Sequence, residues 1–316
     1  MKRAREVSTG NAVRLALPAV LLVALVGMCF VGNTDVSANH PVLVEGNCLG
    51  AGVAQRTAVT PGTCGDYDGD GRIGTAEDTD EADRVFGTIN AAVGNVVLDP
   101  AIQSTTAALN GRVTIVASGN FPEVVTIAPN AITAAAAVGN MQIEAAPGVE
   151  ANIDAVVQGD PGSGGRQNAP GIIVDMPMNR KVTIRNITSR NWTDGIQIRN
   201  VSRVVIDNCR LDNNRDYGVR AQGFSRVFIY NSNITGTGYR RGATGDSPGT
   251  VVPVDGDGVE FEDTSGGVIA QTSITGSFGQ AISNESTLGA AGVRIFEVVF
   301  ADNLGGAGGP FTQTAF

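Results

Sequence analysis

One feature constrains this chain more than any other: it repeats. Short β-branched runs recur at Val182-Thr183-Ile184, Val204-Val205-Ile206, Val227-Phe228-Ile229, Val268-Ile269-Ala270 and Val293-Arg294-Ile295, with starts 22, 23, 41 and 25 residues apart. A second series, Gly195-Ile196, Gly218-Val219, Gly258-Val259 and Ala281-Ile282, is spaced by 23, 40 and 23 residues. Both series give a period near 23, broken once by an insertion of about 18 residues between Ile234 and Gly258. A period of this size marks stacked units, none of which can bury its apolar face alone.

Each unit contains short alternating strands and turn residues, with no room for a helix of ordinary length. Parallel strands usually need helical crossovers. A coiled chain does not, because each strand pairs with its equivalent one coil later, about 4.8 Å away. The expected architecture is an all-β parallel solenoid; a sandwich would show hairpin turns instead.

Such a register names neighbours. With Ile196, Val219, Val259 and Ile282 pointing inward, Gln197, Arg220, Glu260 and Ser283 form one outward column and Arg199, Gln222, Glu262 and Glu285 another. Arg220 should meet Glu260, and Arg185 should meet Asp207 in the other series. Thr183, Val205, Phe228, Ile269 and Arg294 make a third outward column, and Asn186, Asn208 and Asn231 are expected to hydrogen-bond along the stack.

These repeats resemble the right-handed parallel β-helix of the pectate-lyase-like superfamily over roughly residues 110–303. Gly119-Asn120-Phe121-Pro122-Glu123-Val124-Val125-Thr126-Ile127 is similar to an early coil of such proteins. The resemblance implies action on polysaccharides through residues on the outer face of one sheet or in the loops beside it. Most of the known constellations are missing. There is no Asn-Thr-Asp run or His-Gly pair of polygalacturonases, no Asp-Phe-Ile-Phe-Gly run of pectin methylesterases and no Arg-x-Pro-x-x-Arg element of pectate lyases. Lys181 is the one lysine available after the N-terminal segment.

The expected organisation is a signal peptide over 1–38, an N-terminal cap over 39–110, the β-helix over 111–303 with a loop insertion at 238–256, and a C-terminal tail over 304–316. Lys2, Arg3, Arg5 and Arg14 precede an apolar run from Leu15 to Gly32, and Val36-Ser37-Ala38 reads as a cleavage signal. Export to the cell exterior or envelope follows. The membrane is a partner only if the segment stays uncleaved as an anchor. Cleavage would take the net charge from −9 to −11, which disfavours nucleic acid. In that oxidising setting Cys48 and Cys64 are expected to pair, whereas Cys209 reads as a small buried hydrophobe. His40 is the only histidine, so no triad or multi-histidine metal site is available.

Residues 66–77 read Asp-Tyr-Asp-Gly-Asp-Gly-Arg-Ile-Gly-Thr-Ala-Glu. Asp66, Asp68, Asp70 and Glu77 offer side-chain oxygens and Arg72 its carbonyl at the spacing of a twelve-residue Ca2+ loop. This resembles the loops of EF-hand and dockerin modules over those twelve residues. With no apolar helix before Asp66, the expected role is a structural ion in the cap. Ala82, Val85, Phe86, Ile89 and Val93 then suit an amphipathic helix over Glu81 to Val93.

Within the coils, Asp194 and Asp257 share an Asp-Gly-apolar pattern two coils apart, about 10 Å by rung spacing, near the upper limit for inverting hydrolysis. Asp-Gly is also ordinary turn chemistry. Trp192, Tyr217 and Tyr239 could stack on sugar rings, and Arg199 and Arg220 belong to a cluster of arginines that would attract acidic glycans, unless Asp207, Asp212, Asp216 and Glu260 already engage those arginines. Two function classes follow: an extracellular polysaccharide-binding protein, with or without lyase or hydrolase action, and a non-enzymatic envelope or adhesion scaffold.

Overall fold

The computed structural model describes residues 42–44, 84–98, 109–128, 138–155, 169–177, 179–200, 202–241, 251–253, 256–309 and 312–313, all within one compact unit, residues 37–316. The signal segment, Cys48, Cys64, the 66–77 loop with its five expected calcium ligands, and part of the 238–256 insertion lie outside the described residues. No described helix is long and apolar enough to cross a membrane.

Three all-parallel sheets of ten, seven and seven strands enclose one core, here called sheets 1, 2 and 3 in the order the chain visits them within a coil. One coil runs Lys181–Arg185 (sheet 1), Ile187–Arg190 (sheet 2) and Asp194–Ile198 (sheet 3); the next runs Arg203–Asp207, Arg210–Asp212 and Tyr217–Ala221. The inner row of sheet 3 is the expected one: Ile196 pairs with Val219, Val219 with Val259 and Val259 with Ile282, all fully buried. In sheet 1, Ile184, Ile206, Ile229, Ile269 and Ile295 form a matching row.

The third outward column needs correction at one rung. Phe228 pairs with Val268, not Ile269, and Ile269 is buried. The strand is Gly266–Ala270, so Gly267 fills the place that Val204 and Val227 fill in other coils, and aligning on Val268 slips the register by one. Such a slip exchanges the two faces.

The corners explain the asparagines. Asn186, Asn208, Asn231, Gln271 and Glu297 stand at the sheet 1–sheet 2 corner, and all have φ between 50° and 57°. Asn191, Asn213, Gly236, Gly276 and Asp302 repeat this at the next corner, and Asn200, Gly223 and Asp263 at the third. A left-handed residue turns the chain sharply between strands, and asparagine and glycine tolerate it best. Asn208 Nδ2 donates to Asn186 Oδ1 at 2.8 Å as expected, whereas Asn231 Nδ2 donates to Asp207 Oδ1 at 2.9 Å.

At the N-terminal end, strands Val42–Val44 and Arg84–Phe86 extend sheet 1, and helix α1 spans Ile89–Leu98. The segment read as one helix from Glu81 is therefore a strand followed by a helix. Gly87-Thr88 separates them: Thr88 Oγ1 accepts the Ala91 amide at 3.2 Å as an N-cap. The Glu123 carboxylate also accepts the Ile89 and Asn90 amides at 2.7 and 3.0 Å, which suits the positive end of the helix. Asn90 bonds the Thr126 amide and Val124 carbonyl of the first sheet 3 strand, covering its edge. The insertion opens as an antiparallel pair, Tyr239–Arg241 with Val251–Pro253. A Cβ on Gly256 would lie 2.5 Å from Gly238 Cα, so the insertion leaves and rejoins the coil at one corner.

Candidate functional site

The outer face of sheet 3 carries an unusual concentration of charge. The register stacks Asp194, Tyr217 and Asp257 in one row and Gln197, Arg220, Glu260 and Ser283 in the next. Although they point away from the core, Gln197, Glu260 and Ser283 are buried, Glu260 to 4% exposure. Side chains from adjacent rungs cover one another.

A continuous hydrogen-bond chain crosses three coils. Arg199 Nε donates to Gln197 Oε1 at 2.9 Å, Gln197 Nε2 to Gln222 Oε1 at 3.1 Å, and Gln222 Nε2 to Glu262 Oε2 at 2.7 Å. Arg220 donates to Glu262 Oε1 with Nε at 3.0 Å and Nη2 at 2.5 Å, and its Nε lies 3.1 Å from Glu260 Oε2. The Arg220 guanidinium also sits 5.0 Å from the Tyr217 ring centre, a cation–π distance.

Glu260 and Glu262 divide one proton. Burial first, and then the hydrogen bond and negative charge of Glu262, push the Glu260 carboxyl well above the ordinary carboxylate range. Burial alone would raise Glu262 too, but hydrogen bonds from Glu260, Arg220 and Gln222 outweigh it and hold Glu262 below that range. A neutral carboxyl therefore stands beside an ionised one. Burial also raises Asp194 to about 7, opposed by Arg220 and reinforced by Asp216. Tyr217 is pushed up by burial and then by Glu260. Asp194 Oδ1 is buried without a hydrogen-bond partner among the described residues, and buried Glu260 Oε2 has the Arg220 ion pair in place of a well-aligned hydrogen bond.

The other expected site residues fall differently. Asp257 does share a row with Asp194, but its Oδ1 accepts the Gln280 amide at 2.5 Å, tying one coil to the next. The shared Asp-Gly pattern has a packing cause: a Cβ on Gly195 would lie 2.7 Å from the Gly218 carbonyl, and one on Gly218 2.6 Å from the Gly258 carbonyl. Trp192, expected in an exposed turn, is fully buried and its Nε1 donates to the Ile153 carbonyl at 2.9 Å, so its ring cannot stack on a sugar. Tyr239 lies on the first strand of the insertion. Cys209 is buried and free, and burial pushes its thiol up to about 12. Much of the arginine cluster is engaged: Arg190 with Asp154, Arg210 with Asp212, Arg215 with Asp216, and Arg220 with Glu260 and Glu262. Asp207 is taken by Arg185 at 3.0 Å, the expected neighbour.

Residues 170–307, which include every member of this charged cluster, match the family model described as the right handed beta helix region. Together with the three parallel sheets, the match defines the class: the protein is an all-β, right-handed parallel β-helix. No curated protein and no solved structure matches the chain.

Proposed function

We propose that this protein is secreted, binds an extracellular polysaccharide along the outer face of sheet 3 and cleaves it there, with Ca2+ held by Asp66, Asp68, Asp70, Arg72 and Glu77 stabilising the cap. The observation that carries the reading is Glu260: a carboxyl kept neutral by burial and by an ionised neighbour is what proton donation to a glycosidic oxygen requires. Hydrogen-bonded Glu262 stands too close to flank the same bond, so its part is to hold and return the proton. Asp194 lies two rungs from the Glu260 strand and three residues back along it, about 14 Å between Cα atoms by strand geometry, and its side chain must reach toward Arg220 for the two carboxyls to come within the spacing at which a second carboxylate activates water in inverting hydrolysis. Tyr217 and Arg199, half-buried and exposed at the edges of the face, would line the sugar.

Incubation with a panel of acidic, neutral and aminated polysaccharides, following both new reducing ends and unsaturated products, tests this directly. Reducing ends without unsaturated products, lost in Glu260→Gln, are expected. Neither product nor binding from any polysaccharide would overturn the reading. The scaffold alternative draws on the last coil, where Val299 and Leu304 are 59% and 69% exposed. It predicts concentration-dependent assembly without affinity for any glycan.

A further inference from the structure

The outer face of sheet 1 carries a row of charge that the proposed site does not use. Lys181, Arg203 and Arg226 begin three consecutive strands and pair in register, so one cation stands on each of three rungs about 4.8 Å apart. All three point away from the core, because Val182, Val204 and Val227 beside them are fully buried. Like charges directly opposite one another are destabilising. On a chain whose net charge is −9, such a row is relieved by an anion laid along it.

The acids nearby do not supply that anion. Asp207 is the one outward carboxylate on these three strands, and Arg185 holds it at 3.0 Å and Asn231 at 2.9 Å. At the corners before the row, Asp175 accepts from Asn200 and Asp263 accepts the Gly223 amide. Among the described residues neither Arg203 nor Arg226 forms an ion pair. The Arg203 guanidinium instead lies 5.8 Å from the Phe228 ring centre, a cation–π distance, and Arg226 Nη1 donates to the Ser225 and Thr264 carbonyls at 3.0 and 2.8 Å. These contacts orient both guanidiniums and leave the remaining donors of each for a ligand.

Resting on the proposed polysaccharide function for the class of ligand, we infer that sheet 1 carries a second glycan site, separate from the sheet 3 face. It takes a sulfated polysaccharide, with sulfate groups accepted between Arg203 and Arg226 and beside Lys181. A sulfate ester has three free oxygens and can accept from guanidiniums on two rungs at once. A uronate carboxylate has two, best matched by the fork of a single arginine, whereas this row divides its donors between rungs. One sugar of an extended glycan is about as long as a rung is high, so successive sulfates meet successive cations. Half-buried Val205 and Phe228, next to the row on the same face, give the sugar rings an apolar floor.

Calorimetric titration of the full chain at neutral pH and low salt tests the inference with four probes: sulfated cellohexaose, unsulfated cellohexaose, a galacturonate hexamer and a single-stranded thymidine hexanucleotide. Sulfated cellohexaose should bind at least roughly tenfold more tightly than the galacturonate hexamer or the oligonucleotide. Arg203→Gln combined with Arg226→Gln should abolish that preference, whereas Arg185→Gln on the same face should keep it. Equal or tighter binding of galacturonate or the oligonucleotide would overturn the sulfate assignment. Undiminished binding of the sulfated probe by the double variant, or an equal loss in Arg185→Gln, would overturn the placement. Either result leaves the polysaccharide reading standing as long as one glycan binds. Binding of none of the three glycans would overturn both. The ranking by the unmodified protein decides the ligand class even if a variant fails to fold.

Discussion

The outer faces of sheets 1 and 3 use the same backbone geometry to opposite ends. On sheet 1, Arg185 and Asp207 face each other across one rung with side chains 43% and 20% exposed. On sheet 3, Arg220 meets Glu260 in the equivalent relation, but the Glu260 side chain is only 6% exposed and a second carboxylate, Glu262, shares the cation. Rung spacing brings charges together in both places. What separates a surface ion pair from a site with displaced protons is the loss of water, and sheet 3 achieves that with the glutamines and Tyr217 packed around its charges.

If burial makes the difference, the largest contrast should come from removing the cation. Arg220→Ala leaves Glu262 and Glu260 without their positive partner and should destabilise the chain by about 3–5 kcal/mol, read by urea denaturation. Equal small losses at Arg220 and Arg185 would erase the contrast. The pH dependence comes next. Asp194 binds its proton more tightly in the folded chain, with folded value about 7 against 3.8. Its stabilisation is therefore complete below the ordinary carboxylate range and is lost as pH rises through about 7. At this depth of burial it amounts to roughly 2–4 kcal/mol. Wild-type denaturation midpoints should fall across that window, and Asp194→Asn should flatten the slope; an unchanged slope would contradict the shift.

A smaller effect is expected at the corners. Asn208→Ala loses the bond to Asn186 and places a Cβ-bearing aliphatic residue at φ 51°, a cost of roughly 1–2 kcal/mol. Smallest of all, Arg185→Ala on sheet 1 should change stability by about 0–1 kcal/mol and less at high salt.

The sequence made the coil legible because β-branched residues and glycines recur with one period, and the inner row Ile196–Val219–Val259–Ile282 and the pairs Arg185–Asp207 and Arg220–Glu260 followed from it. Register was lost only at Gly267, where a glycine replaced the β-branched marker. Burial on the outer face was not legible. Periodicity says that Glu260 points outward, and cannot say that Arg220, Tyr217 and Glu262 close over it. Trp192 shows the same gap: between Asn191 and Thr193 it reads as turn, yet the ring fills the core beneath that corner and bonds a carbonyl 39 residues earlier in the chain. The site therefore had its members in view, with Arg220, Tyr217 and Asp194 singled out, while the neutral carboxyl at its centre required the packed fold.

The central claim is that Glu260 is uncharged at neutral pH while Glu262 is ionised. Carbon-13 NMR titration of the full chain labelled at glutamate carboxyls, with Glu260→Gln for assignment, addresses it directly. The account predicts one glutamate resonance that keeps its protonated shift through neutrality and disappears in the variant. A spectrum in which every glutamate has deprotonated well before neutral pH would contradict it.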